Sequence, residues 1–192
     1  MKHLAFLFAL ISFMPSAWSA QCTLDKNSAE VGWTAFKTTQ RAGVKGVFKT
    51  VNISGPTTGK SLKKLLEGLS VEVDINSMDS FLEPRNVTLR QSFFGKLADP
   101  KVSGRLSGVN EAAKTAQLDL TFNGQQHPVK MTYTLEADTL TATGSMDVLQ
   151  FGANTALDTL HKACEKLHAG SDGVSKTWPD VTLTLKGKIA CK

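Results

Sequence analysis

The sequence is poor in aromatic residues and contains no run of like charges. One tyrosine and three tryptophans stand among 192 residues, and the formal net charge is +5. The Lys and Arg residues are dispersed along the chain, whereas nucleic-acid-binding proteins concentrate them on one face. We therefore expect no nucleic-acid partner. Outer-membrane barrels carry aromatic girdles at both membrane interfaces, so the same scarcity argues against that class.

Long apolar runs are also absent, apart from one at the start of the chain. Lys2 and His3 precede an apolar stretch over residues 4–13, which is too short to span a bilayer. Small residues follow, and the whole pattern predicts a signal peptide over residues 1–19, cleaved near residue 19 or 20. We expect a single domain over residues 20–192, exported to a bacterial periplasm without stable membrane insertion. A secreted eukaryotic protein fits the same pattern.

Residues 115–148 alternate between apolar and polar side chains with a period of two, which predicts strands with one apolar face. The apolar positions are Leu118, Leu120, Phe122, Val129, Met131, Tyr133, Leu135, Leu140, Ala142, Met146 and Val148. The short polar connections at residues 123–124 and 137–138 make the three strands an antiparallel meander. Their continuous apolar face must cover either a core or a cavity.

Similar patterns predict five further strands and three helices. The strands lie near residues 29–38, 44–54, 69–76, 102–109 and 181–189. The helices lie near residues 61–67, 85–96 and 154–169, and a polar loop with Trp178 and Pro179 precedes the last strand. Eight amphipathic strands predict a closed antiparallel barrel. Such a barrel is either filled by side chains or just wide enough for one slender ligand.

Cysteine is scarce, with Cys22, Cys164 and Cys191 in the expected mature chain. Disulfides are permitted in an exported protein. If the sheet closes on itself, its first and last strands become neighbours. We therefore expect a Cys22–Cys191 disulfide, which in the chain-entropy model is worth about 4–5 kcal/mol. Cys164 would remain a free, buried thiol.

Several segments, taken in order, resemble the YceI-like, polyisoprenoid-binding family. They are Gly46-x-Phe48, the series Arg85, Leu89, Phe93-Phe94 and Pro100, the hairpin Leu120-Thr121-Phe122-Asn123-Gly124 with Pro128-Val129, and the step Asp147-Val148-Leu149-Gln150-Phe151-Gly152. The resemblance implies a secreted, lipocalin-like barrel of eight antiparallel strands with two to three short helices. It also implies an elongated apolar tunnel for a polyprenyl or similar amphiphilic chain. Asn27-Ser28 stands where the family often has His-Ser, and no aromatic residue follows Pro100, so the ligand's identity stays open.

On this basis we expect a periplasmic binding or carrier protein, without a cofactor, for an isoprenoid quinone, a polyprenyl chain or a fatty-acid-like lipid. An apolar tunnel supplies affinity of about 0.8 kcal/mol per buried methylene. The candidate ligand-binding residues are Trp33, Phe48, Val71, Val73, Leu89, Phe93, Phe94, Leu120, Phe122, Met131, Tyr133, Met146, Phe151, Leu157, Leu160 and Leu183. Phe93, Phe94 and Phe151 fall at the ends of predicted elements and are the candidates for a mouth. Small barrels of the family can also form homodimers.

Two alternatives stay open. The inward apolar residues could form a solid core, which would make the protein a structural or interaction module. Alternatively, His161, Cys164 and His168 share one face of the predicted helix at residues 154–169. Imidazole and thiolate are ligands that suit zinc, so this face could serve a metal- or thiol-dependent enzyme. No nucleophile elbow or glycine-rich phosphate loop accompanies it, and we expect that the protein is not an enzyme.

Overall fold

The computed structural model describes residues 21–192, so the expected signal peptide over residues 1–19 lies outside the described residues. None of the helices in the described part of the chain combines the length and the apolar composition that crossing a bilayer requires.

The described chain is mainly β. Its strands are β1 (Cys22–Lys37), β2 (Ala42–Phe48), β3 (Val51–Ser54), β4 (Thr58–Gly59), β5 (Ser70–Val73), β6 (Met78–Asp79), β7 (Val102–Asn110), β8 (Thr115–Phe122), β9 (Gln125–Glu136), β10 (Thr139–Asp147) and β11 (Thr177–Cys191). They form one sheet in the order β3-β5-β7-β8-β9-β10-β11-β1-β2-β6, with β4 paired to β1. Every pairing is antiparallel. The predicted meander is therefore confirmed as β8, β9 and β10.

Three short helices interrupt the strands. They are α1 (Leu62–Leu66), α2 (Glu83–Ser92) and α3 (Asn154–Ala163), and 3-10 turns follow α2 and α3 at Phe94–Lys96 and Glu165–Leu167. The predicted cap of α1 is confirmed, because the Ser61 side chain accepts a hydrogen bond from the Lys64 N–H. Pro84 stands in the first turn of α2, where its missing N–H costs no helical hydrogen bond. Both longer helices end earlier than the sequence predicts.

The sheet curls into a barrel-like shape. β1 pairs with β11, the last strand, while β2 leads almost directly into β3 at the far end of the strand order. Two backbone hydrogen bonds link the connection between β2 and β3 to the segment between β5 and β6: the Lys49 N–H donates to the Ser77 carbonyl and the Asp74 N–H to the Thr50 carbonyl, both at 3.2 Å. The expected fold class is confirmed as a curled antiparallel sheet with three short helices.

The predicted count of eight strands is wrong, because one predicted strand divides in two and the short strands β4 and β6 are added. Another predicted strand ends early. The strand predicted near residues 44–54 divides into β2 and β3. The strand predicted near residues 69–76 ends at Val73, because the Asp74 carboxylate accepts a hydrogen bond from the Asn76 N–H and starts a 3-10 turn at Ile75–Ser77. A local side-chain bond of this kind competes with the strand ladder.

The first and last strands of the chain, which are neighbours in the sheet, are joined covalently. Cys22 and Cys191 are cross-strand partners on β1 and β11 and form a disulfide across 169 residues of sequence. Cys164 is free and buried. Both expectations about the cysteines are therefore confirmed.

Candidate functional site

An apolar cavity of about 110 Å³ lies inside the curled sheet beneath α2 and α3. Eleven of the sixteen candidate residues line it: Trp33, Phe48, Leu89, Phe93, Phe94, Leu120, Phe122, Met146, Leu157, Leu160 and Leu183. The strand residues point inward because of the two-residue alternation, and the helix residues close the cavity from above. Sequence periodicity therefore brings most of the candidate residues to one place.

Aromatic rings form one side of the cavity. Phe93 at the end of α2 stacks on Phe122 of β8, with ring centroids 6.3 Å apart. Phe94 meets Phe93 edge-to-face at 5.3 Å and Phe48 of β2 at 6.3 Å. Offset and edge-to-face pairs stabilise by about 0.5–1.5 kcal/mol beyond the area that they bury. They therefore fix the end of α2 against the sheet.

Trp33 forms part of the cavity wall and depends on a glycine. Gly46 is its cross-strand partner on β2, and a Cβ atom there would lie 2.5 Å from Cε2 of the indole ring. Only glycine permits this close approach of ring and backbone. The indole N–H of Trp33 is buried and finds no hydrogen-bond partner among residues 21–192.

A buried polar pair anchors the start of α2. Ser80 and Asn86 are 0% and 4% exposed, and the Asn86 side-chain oxygen accepts hydrogen bonds from the Ser80 N–H at 2.7 Å and its hydroxyl at 2.6 Å. The Asn86 amide nitrogen donates to Asp79 and Glu83. Hydrogen bonds from Lys49, Asn86 and the Phe81 N–H lower the pKa of Asp79 from 3.8 to about 2. This network places Leu89 and the phenylalanines over the cavity.

A second apolar cavity of about 70 Å³ lies further along the sheet. Val71, another of the candidates, lines it together with Val31 and Leu185. On β1, Val31 lies two residues before Trp33, and on β11, Leu185 lies two residues after Leu183. Trp33 and Leu183 line the first cavity. Because inward positions on a strand are about 6.6 Å apart, the two cavities are separated by a single layer of side chains.

Four candidates line neither cavity, because they fill the core. Val73 and Met131 are 7% and 0% exposed. The Tyr133 hydroxyl donates to the Asn110 carbonyl at 3.4 Å, and burial raises the pKa of Tyr133. Phe151 is 1% exposed and packs edge-to-face against Phe122, so it does not lie at a mouth. Alternation identifies inward positions, but it does not distinguish a packed layer from a lined cavity.

Six lining residues were not among the candidates: Ala35, Val102, Val148, Thr177, Trp178 and Val181. Ala35, Val102 and Val181 continue the inward stripes of their strands, and Val148 follows Met146 by two residues, just beyond the end of β10. The same alternation could therefore have identified all four. Thr177 and Trp178 were missed because a loop was predicted there, whereas β11 begins at Thr177. Pairing with β1 extends this strand, and a single sequence carries no direct signal for that pairing.

Thr177 brings a polar group to the cavity. Its Oγ1 lies 3.1 Å from Nδ1 of His161 and 2.6 Å from Nδ1 of His168. Burial lowers the pKa of His168 from 6.5 to about 4, and electrostatic repulsion from Lys37 and His161 contributes to the shift. Its ring is therefore neutral at neutral pH. The indole N–H of Trp178, the neighbouring lining residue, donates to the Thr38 carbonyl at 2.7 Å.

The helix face proposed for a metal is arranged differently from a metal site. The two histidines are joined through the Thr177 hydroxyl, and burial raises the pKa of the Cys164 thiol. A raised pKa disfavours the thiolate that binds zinc or attacks a substrate. Across residues 21–192, no three His, Cys, Asp or Glu side chains are grouped so that they could hold a metal ion.

Comparison with known structures finds proteins of similar fold. A polyisoprenoid binding domain from Saccharophagus degradans, implicated in plant cell wall breakdown, is similar with a TM-score of 0.55 and 14% identity, over 88% of this chain and 98% of that one. BcnA from Burkholderia cenocepacia is similar with a TM-score of 0.56 and 14% identity, over 87% and 99% of the two chains. At such identity the likeness shows the fold alone.

Comparison with curated proteins finds no match. The sequence model of the YceI-like domain, in contrast, matches residues 22–188. This range runs from the first residue of β1 into β11 and includes every residue that lines the first cavity. The chain therefore belongs to the YceI-like family.

Proposed function

We propose that this protein binds the apolar chain of a polyisoprenoid or similar amphiphilic lipid in the cavity beneath α2 and α3. The observation that carries the proposal is the lining itself. Of the seventeen residues that form it, only Thr177, Trp33 and Trp178 have polar side-chain atoms. A mostly apolar cavity with a few polar groups is the usual form of a site for a lipophilic ligand.

The family and the fold support the same class of ligand. The chain belongs to the YceI-like family, and a protein of similar fold is a polyisoprenoid binding domain. Each methylene that enters the cavity contributes about 0.8 kcal/mol. The chain of the ligand would therefore supply most of the affinity.

The place and the role of the protein belong to the same proposal. The N-terminal pattern of a signal peptide and the Cys22–Cys191 disulfide support export to an oxidising compartment, which in a bacterium is the periplasm. There it would carry an isoprenoid quinone, a polyprenyl chain or a fatty-acid-like lipid. We propose a binding protein rather than an enzyme, as a monomer or a homodimer.

A solid-core module remains the second candidate, because part of the interior is filled. Met131 is fully buried and Leu118 is 2% exposed. The two cavities occupy only about 110 and 70 Å³, and side chains fill the core around them. The difference between the candidates is uptake of a ligand.

The experiment is a matched pair of substitutions on β1. Ala35 lines the cavity, whereas Thr34 next to it has the opposite orientation. Ala35→Phe fills the cavity and should abolish uptake of a prenyl quinone, which native mass spectrometry measures. Thr34→Phe adds the same ring outside and should leave uptake intact. If the unsubstituted protein takes up no prenyl quinone and yields no lipid on organic extraction, the solid-core module is the better description.

A further inference from the structure

One rim of the cavity carries a lysine on its inner side. Lys37 follows Trp33 and Ala35 on β1 at intervals of two residues, so its side chain shares their face. β1 keeps a regular register with β2 through the Lys37–Ala42 pair, whereas its register with β11 shifts between Ala35 and Lys37. The cross-strand partner of Lys37 on β11 is Thr177, which lines the cavity. Lys37 and Thr177 therefore stand side by side where the cavity ends.

The ammonium group of Lys37 contacts a backbone carbonyl. It donates to the Leu167 carbonyl at 3.1 Å but forms no ion pair with a carboxylate among residues 21–192. Arg41, the next cation along the chain, is paired with Asp180. An ammonium has three N–H donors, so Lys37 retains two for another acceptor.

The positive charge acts on its neighbours. Lys37 contributes to the lowered pKa of His168 and opposes the rise in the pKa of Cys164, so its field reaches both groups. The carbonyl of Leu167 neutralises it only in part, because a carbonyl carries a partial charge. An unpaired cation beside an apolar cavity attracts an anion that can also place a chain in the cavity.

We infer that the rim formed by Lys37 and Thr177 binds the anionic head group, a carboxylate or a phosphate, of the lipid whose chain occupies the cavity. The inference rests on the proposed function. Lys37 supplies the opposite charge and charge-assisted hydrogen bonds. When His161 and His168 carry their protons on Nδ1, the Thr177 hydroxyl accepts from both rings and donates its own O–H to the head group.

The test compares ligands that share a chain and differ in head group. The pairs are dodecanoic acid with dodecanol, and geranylgeranyl phosphate with geranylgeraniol. Dissociation constants come from the change in intrinsic fluorescence of Trp33 and Trp178, which line the cavity. At about 0.1 M salt we expect each anion to bind about tenfold more tightly than its alcohol. A preference for one anion would identify the head group within the class.

Variants assign the effect to the rim. Lys37→Met keeps an apolar stem but removes the charge, and should weaken binding of the two anions about tenfold while leaving the alcohols unchanged. Thr177→Val should act in the same direction and less strongly. The control is Lys45→Met. Lys45 is exposed on β2 and forms no ion pair among residues 21–192, so this variant should change none of the four dissociation constants.

The possible results distinguish failure of the anionic rim from failure of the proposed function. Equal affinity for acid and alcohol, or equal behaviour of the Lys37 and Lys45 variants, overturns the anionic rim and leaves the proposed function standing. If none of the four probes binds to the unsubstituted protein, the proposed function itself fails. Selective loss of the anions in the Lys37 variant supports both.

Discussion

Asn86 is the residue on which the position of α2 depends. All four hydrogen-bonding positions of its side chain are used, two by Ser80 and one each by Asp79 and Glu83. An amide that is 4% exposed cannot exchange these partners for water. The single residue therefore links the loop after β6 to the first turn of α2.

Replacing Asn86 by alanine should lower the free energy of unfolding by about 2–3 kcal/mol, because buried Ser80 loses its acceptor. Chemical denaturation measures the change. Gln91→Ala is the control, since Gln91 is exposed on the same helix and its loss should stay within about 0.5 kcal/mol. Equal losses in the two variants would mean that the network contributes nothing to stability. Binding of a prenyl ligand should also weaken in the Asn86 variant, because Leu89 and Phe93 lose their anchor.

His168 makes stability depend on pH. In the folded protein its pKa is lowered from 6.5 to about 4 by burial and by the nearby Lys37 and His161. Between these two values the unfolded chain binds the proton and the folded protein does not. Stability therefore falls as the pH falls from about 6.5 to about 4, and this contribution is constant outside that window.

We expect His168→Gln to reduce the loss of stability between pH 7 and pH 4.5, because glutamine can still bond to Thr177 but does not titrate. Urea midpoints measured at the two pH values give the comparison. The matched variant is Gln126→Ala on β9, an exposed residue that does not titrate and lies outside both cavities. Its pH dependence should follow that of the unsubstituted protein. An unchanged slope in the His168 variant would assign the pH dependence to other groups.

At the scale of elements, the sequence predicts the type of nearly every helix and strand but not their ends. Alternation identifies β8, β9 and β10 because each has one buried face. It fails at Asp74, where a side chain caps a 3-10 turn, and at Thr177, where pairing with β1 extends β11 into a predicted loop. Those boundaries depend on contacts between distant segments, which a local pattern does not contain.

The candidate site was predictable to a similar extent and for the same reason. Inward strand positions such as Trp33 and Leu183 follow from alternation, and Leu157 and Leu160 follow from helical spacing. Whether an inward residue lines a cavity depends instead on how completely the neighbouring side chains fill the barrel. Met131, which is fully buried, and Leu120, which lines the cavity, have the same sequence signature.

The layer between the two cavities limits the length of chain that can enter. Leu118 of β8 lies two residues from Leu120, which lines the first cavity, and is paired with Leu106, which lines the second. Gly104, the cross-strand partner of Leu120, leaves room for the Leu118 side chain, since a Cβ there would lie 2.6 Å from the Leu118 Cδ1. Leu118 therefore stands at the partition.

Leu118→Ala should join the cavities and favour longer chains. If two more methylenes enter, binding gains about 1.6 kcal/mol, or about tenfold in affinity. We expect the variant to prefer geranylgeraniol to the shorter farnesol more strongly than the unsubstituted protein does, in the same fluorescence titration. Val129→Ala is the control and should leave the preference unchanged. Val129 is the buried residue paired with Leu118 on β9, but the residues two positions away from it, His127 and Met131, line neither cavity. An unchanged preference in both variants would place the partition elsewhere.

At the scale of the whole molecule, the disulfide and the cavity lie at different places along the same two strands. Cys22 and Cys191 pair at one end of the β1–β11 ladder, while Trp33 and Leu183 line the cavity further along it. The disulfide constrains the unfolded chain because it closes a loop of 169 residues. The ladder itself positions the cavity wall. Stability and binding should therefore respond differently to loss of the disulfide.

The double variant Cys22→Ser and Cys191→Ser should lose about 4–5 kcal/mol of stability by the chain-entropy estimate, yet bind a prenyl quinone with an unchanged dissociation constant where it remains folded. Urea denaturation and fluorescence titration on the same sample measure the two quantities. Cys164→Ala is the control, because this thiol is free and forms no covalent link, so it should retain most of the stability. If loss of the disulfide weakened binding in a fully folded sample, the covalent link would be holding the cavity open, and the ladder between β1 and β11 would be insufficient to position Trp33 and Leu183.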